Sequence, residues 1–134
     1  MDQGIAPLHP AYFHIAFRTE APLLEWPAAF VIISAYATTG ETWSAERNQE
    51  ADQRLHAELL ERGCAPIRIT GFDPATDHAE PSWAVELPLD EALAVGHDFL
   101  QDAIFVVQGD ALLVAQCNSP HAPQAVGFFR ERVK

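Results

Sequence analysis

Basic residues are scarce in this chain. Eight Lys and Arg stand against nineteen Asp and Glu, for a formal net charge of −11 at pH 7. A surface of that sign repels phosphate backbones, whose binding needs clustered cations, and it repels anionic bilayers for the same reason. Nucleic-acid and membrane partners are therefore not expected, and the charge is read first as a source of solubility. Cysteine is rarer still. Cys64 and Cys117 lie far apart and form no Cys-x-x-Cys. No metal site is expected from them, because a zinc site needs four converging ligands. No apolar run approaches the ~20 residues that cross a bilayer. The opening MDQGIAPLHP has neither the basic start nor the apolar centre of an export signal. Reduced thiols and a cytoplasmic location are the corresponding expectations. Gly-x-Gly-x-x-Gly, a Walker loop, Gly-x-Ser-x-Gly and His-Glu-x-x-His are all missing, which argues against the common nucleotide, hydrolase and zinc-protease readings. No cofactor is called for.

What remains is enough to fold. With 49% hydrophobic and 20% charged residues over 134 positions, the chain suits one domain over residues 1–134. Residues 1–10 read as a loose arm and 118–134 as a tail.

The stretch Ala29 to Gly63 organises the rest. Phe30 to Ile33 is a short β-branched run, closed by a Thr-Thr-Gly turn, and reads as a central strand covered on both faces. Ser44 then stands where its hydroxyl caps a helix, with Glu46 in the first turn and Gly63 at the stop; Thr42 is a rival cap. At ~100° per residue, Asn48, Ala51, Leu55 and Leu59 share one stripe. Asn48 is the polar member, and a buried amide left unpaired costs about 1–3 kcal/mol. It either ties down a neighbouring loop or lines a ligand site. Trp43 either staples the helix entrance or stacks a flat ligand.

Period-two alternation continues the sheet. Phe13, Ile15 and Phe17 suggest a first strand, Ile67 and Ile69 a third, and Trp83, Val85 and Leu87 a fourth. Pro22 and Pro27 break the first connection, where Leu23, Leu24 and Trp26 cap an edge of the core. A second helix opens at Leu89 or Asp90, with Ala92, Gly96, Phe99 and Ala103 on its stripe. Ile104 to Val107 and Ala111 to Cys117 form a hairpin through Gly109-Asp110. Gln124 to Val133 reads as a short terminal helix. The order β-β-α-β-β-α-β-β points to an α+β fold, a ferredoxin-like or split β-α-β sheet with both main helices on one face.

Chemistry concentrates around FDPATDHAEPS. Asp73, Asp77, His78 and Glu80 offer oxygen and imidazole ligands, but their spacing is not that of a Ca²⁺ loop. Glu80 is held by the following Pro81 and Ser82, and either clamps the start of the first helix or serves as a ligand or acid/base group. His14, His56 and His97 show no paired spacing.

Ser34-Ala35-Tyr36, Ser44, Asn48, Gly71-Phe72-Asp73, Glu80-Pro81-Ser82, Phe99, Gln101 and Ala103 together resemble the bacterial family called domain of unknown function 3293. The resemblance runs from about Tyr12 to Cys117 and implies Ser44, Asn48, Glu80, Ser82 and Gln101 as polar motif positions. Family members typically carry Asn-Pro after the strand's aromatic residue and Gly before the Gln, where this chain has Ala37-Thr38 and Leu100. The resemblance brings no established reaction. Three functions follow as expectations. The first is a binding or regulatory module with Tyr36, Ser44, Asn48, Glu80, Ser82 and Gln101 as ligand-binding candidates near the start of the first helix. The second is a small enzyme with Glu80 as general acid/base and Asn48 and Tyr36 positioning substrate. The third is an acidic module for a protein partner.

Overall fold

The computed structural model describes residues 10–19, 26–38, 41–76, 78–118 and 122–134. Residues 1–9 of the arm, Pro22, Leu23, Leu24 and Asp77 lie outside them. A 3-10 turn, Pro10–Phe13, precedes β1 (Ala16–Arg18) and β2 (Ala29–Ser34). Then come α1 (Ala45–Glu61), β3 (Ile67–Phe72), β4 (Ala79–Val85), α2 (Leu89–Asp98), β5 (Ala103–Gln108) and β6 (Ala111–Gln116). The chain closes with β7 (Gln124–Phe128) and α3 (Phe129–Arg132).

The protein is α+β. Its seven strands form a single sheet in the order β1-β3-β4-β2-β5-β6-β7, each neighbouring pair antiparallel. Strand β2 is central, as its β-branched run demands. Val31 and Ile33 face α1 and α2, packing with Leu55, Leu59, Ala92 and Val95. Phe30 and Ile32 face the other way, onto Phe17, Ile69, Val107, Leu112, Val114 and Phe129. Both main helices thus cover one face.

The opposite face is concave, because the sheet curls until its edges meet. Phe17 bridges to Val133, and the Lys134 N–H donates to the Phe17 carbonyl at 2.8 Å. Arg132 fastens the seam, donating to the Ile15 carbonyl at 2.8 Å and to the Val126 carbonyl at 2.6 Å. Inside the curl, the Phe17 ring meets Phe105 edge-on at 5.3 Å, and Trp26, Phe30 and Phe129 form a second aromatic group.

The helix boundaries obey their caps. Ser44 Oγ accepts the Arg47 N–H at 3.1 Å, so Ser44 and not Thr42 is the N-cap of α1. After Arg62, Gly63 takes φ +82°, and the Cys64 N–H returns to the Leu59 carbonyl at 3.1 Å.

Three expectations change. Phe13 is not in a strand: Pro10 opens a tight turn in which the His14 and Ile15 N–H groups both reach the Ala11 carbonyl, and only Ala16–Arg18 pairs. The tail is not mainly helical. Its first half is β7, because β6 needs a partner for its outer backbone groups; the helix shrinks to Phe129–Arg132. Helix α2 stops at Asp98, so Ala103 belongs to β5 and not to the helical stripe.

Candidate functional site

Alternation along β4 decides where the polar residues go. Trp83 and Val85 face the helices, which sends Ala84, Ser82 and Glu80 to the concave side. There they meet Ile32 and Ser34 of β2 and Gly71 of β3, which is directly opposite Glu80 in register. The result is a cavity of about 490 Å³ at one end of the curled sheet. Its floor is apolar, with Ile15, Phe17, Ile32 and Phe105; its rim carries Thr38, Glu41, Thr42, Asp73, Thr76 and His78.

Glu80 is the chemical centre of this cavity. Its carboxylate makes no hydrogen bond or ion pair with any described residue. Burial pushes its carboxyl above the ordinary glutamate range, and His78 pulls it partly back. The reason is that removing water disfavours the charged form. Its neighbours are already engaged. Ser82 Oγ donates to the Glu80 carbonyl at 3.0 Å, and Ser34 Oγ donates to the Pro81 carbonyl at 3.2 Å while accepting the Tyr36 N–H.

Gln101 reaches the cavity because α2 ends early. Leu100 takes φ +62°, which reverses the chain and turns Gln101 inward to 6% exposure. Its Nε2 donates to the Tyr36 carbonyl at 2.8 Å and the Phe99 carbonyl at 3.2 Å. Two carbonyl partners fix the amide orientation, since only the nitrogen donates.

The sequence candidates therefore separate. Glu80, Ser82 and Gln101 line the concave cavity; Tyr36, Ser44 and Asn48 do not. Asn48 lies on the helix side, where its Oδ1 accepts the Ala37 N–H at 2.9 Å. Ser44 caps α1. Tyr36 contributes its carbonyl to Gln101. Trp43 packs against the helix-side core under the Arg47 guanidinium, 3.7 Å from its ring centroid. Asp73 organises its own turn, its Oδ1 accepting the Ala75 N–H at 2.9 Å. Among the described residues, no three His, Cys, Asp or Glu side chains converge as a metal site would require. Among the described residues no helix is long and apolar enough to cross a membrane.

Sequence reasoning passed over Ser34, Thr38, Glu41 and Tyr12 as cavity residues. Ser34 was legible: it shares strand parity with Ile32, one position beyond the apolar run. Glu41 and Tyr12 carry no local signal, because folding alone brings their segments to the cavity. A second missed group lies on the helix side. Arg68 grips Asp52 through two hydrogen bonds of 3.0 and 2.6 Å and lies 3.8 Å from the Trp83 ring centroid. His56 stacks on the same ring at 4.2 Å, and Trp83 Nε1 is buried without an acceptor. These side chains pack on one another, with the Arg68 and Asp52 charges paired.

A second groove of about 420 Å³ opens at the other end of the sheet, beside Trp26, Arg62, Cys64 and Pro88. Its cation is engaged, since Arg62 pairs with Glu58 at 2.8 Å and Glu91 at 3.3 Å. Burial pushes the Cys64 thiol up, away from the reactive thiolate. The concave cavity is the stronger candidate.

A family model described as protein of unknown function (DUF3293) matches residues 33–104, just over half of the chain, and the chain belongs to that family. No curated protein and no solved structure matches it. The matched span holds Ser34, Glu80, Ser82 and Gln101, while Ile15, Phe17 and Phe105 of the floor fall outside it.

Proposed function

We propose that this member of the DUF3293 family is a small, soluble, cytoplasmic binding module whose ligand occupies the concave cavity and is held through Glu80. The observation that carries the reading is a carboxylate with no partner among the described residues, partly desolvated over an apolar floor of Phe17, Ile32 and Phe105. A half-buried carboxylate without a partner bears part of its desolvation cost with no hydrogen bond in return, which favours a use. A concave site with an apolar lining and a few oriented polar groups is the usual form of a small-molecule site. The rim of this cavity reaches Glu41 and Thr42, just before the start of the first helix, while its inner wall lies on the concave face of the sheet. The central run β3-β4-β2-β5, with α1 and α2 on one face, supports reading the core as a split β-α-β sheet extended by β1, β6 and β7.

Screening amphipathic fragments by amide chemical shifts tests the reading. Hits are expected to move the amides of Gly71, Glu80, Ser82 and Phe105, and to be lost in Ala103→Leu, which fills the cavity from β5. Hits that ignore those amides, or that bind Ala103→Leu equally well, would refute it.

A second reading is a small enzyme with Glu80 as general acid/base. Its support is the raised proton affinity of Glu80, which moves the group toward a working pH. Asn48 and Tyr36 do not line the cavity, so substrate positioning would pass to Ser82 and Gln101.

A further inference from the structure

Hydrogen-bond direction around the cavity constrains what it can hold. Ser82 Oγ and Ser34 Oγ both spend their single proton on backbone carbonyls. The Gln101 amide spends its nitrogen on two further carbonyls, which leaves its oxygen without a partner among the described residues. An ionised Glu80 only accepts. The inner wall therefore presents acceptors, with its protons committed to the backbone. Charge points the same way. Among the described residues no Lys or Arg lines the cavity, whereas Glu41, Asp73 and Glu80 all do.

We infer that the cavity selects a cationic, multi-donor ligand: an ammonium, amidinium or guanidinium group facing Glu80, Ser82 and Gln101, on an apolar or aromatic body resting on the half-buried Ile15, Ala103 and Phe105. This rests on the cavity reading above and narrows it to a ligand class. A carboxylate or phosphate ligand is rejected, because it would add negative charge beside Glu41, Asp73 and Glu80 with only the His78 imidazole to answer it. The floor excludes small hydrophilic cations in favour of amphipathic ones, since a ligand with no apolar body leaves that surface wet. A cation opposite an ionised carboxylate makes charge-assisted hydrogen bonds, stronger in a site screened from water.

Among the described residues, the titratable groups around Glu80 are Glu41 before α1, Asp73 and His78 in the β3–β4 turn, and Tyr12 in the 3-10 turn. Glu41 and Asp73 add negative charge on ionising. Protonation of His78 opposes a cation but leaves the wall's hydrogen-bond direction unchanged. Because burial raises the Glu80 pKa, cation binding is held above that raised value and is lost as pH falls through it.

The test uses the full chain and three matched probes: benzamidine, benzyl alcohol and benzoate, titrated by amide chemical shifts. Benzamidine keeps its charge across the whole pH range. The expected result is benzamidine in the cavity at about tenfold or more tighter than either congener. That preference should disappear in Glu80→Gln and, in the unaltered protein, as pH falls through the Glu80 titration. Benzyl alcohol or benzoate binding in the cavity as tightly as benzamidine would overturn the cation inference while leaving the cavity reading intact. A benzamidine preference unchanged in Glu80→Gln would also overturn it. No probe moving the cavity amides would overturn both.

Discussion

Asn48 Oδ1 accepts the backbone N–H of Ala37 at 2.9 Å, tying the first turn of α1 to the loop that leaves β2. That loop goes on to supply Thr38, Glu41 and Thr42 to the cavity rim. The amide thus shapes the cavity from behind without entering it. Asn48→Ala leaves the Ala37 N–H without its acceptor and is expected to cost about 1–2 kcal/mol. Asn48→Asp keeps an acceptor and should lose less. Urea unfolding of both variants with an unchanged slope checks this; equal losses would show that the amide acts through something other than this bond.

Gly96 is required by space. A Cβ placed there would lie 2.7 Å from Cys117 Sγ and 2.9 Å from Ile104 Cγ2. The helical gain of Gly→Ala, ~1 kcal/mol, is outweighed by overpacking of about 1–3 kcal/mol. Gly96→Ala should therefore lower the melting temperature, and the double variant with Cys117→Ala should recover part of the loss. A stabilised Gly96→Ala protein would contradict the close approach of α2 to β5.

Leu100 shows the opposite case. It holds φ +62° and is 57% exposed. A side chain there strains the backbone by about 1 kcal/mol and buries little in return. Leu100→Gly is expected to raise stability by about that amount, with the Gln101 bonds to Tyr36 and Phe99 preserved. Melting curves give the sign directly, and a destabilised variant would mean that the Leu100 side chain packs more than its exposure implies.

Glu80 sets a pH dependence with a definite sign. Its folded pKa lies above the ordinary value because burial disfavours the charge. Between the unfolded and folded values the native state holds the extra proton. The contribution of Glu80 to stability is therefore fully present below the unfolded pKa and is lost as pH rises through the folded one. Glu80→Gln stays neutral throughout. The variant should melt higher than the natural protein at neutral pH, with the gap closing in acid as Glu80 becomes protonated. Calorimetry across that range isolates the term from the other carboxylates, and a constant gap would show that the charge is not desolvated.

How much of this was legible follows from the range of each interaction. The β2 run, the α1 stripe with its Ser44 cap and Gly63 stop, and the β5–β6 hairpin at Gly109-Asp110 are local patterns, and the chain carries them openly. Strand parity also carries Glu80 and Ser82 to the face away from Trp83, a consequence contained in the alternation of Trp83 and Val85 but not among the sequence expectations. The element order suggested helices on one face, and the packing of Leu55 and Val95 into one core agrees.

What only tertiary structure decided is the curl and everything inside it. Phe17 meets Val133 across 116 positions of chain, a separation read from their numbers in the sequence, and no periodicity encodes such a contact. Local pattern brings Asn48 and Glu80 to the same end of the central strand; the sheet between them assigns each to its own face. Sequence fixes which way a side chain alternates, because that is set by the geometry of one strand. Which segments it then meets depends on how the whole sheet bends, and the cavity belongs to that bend.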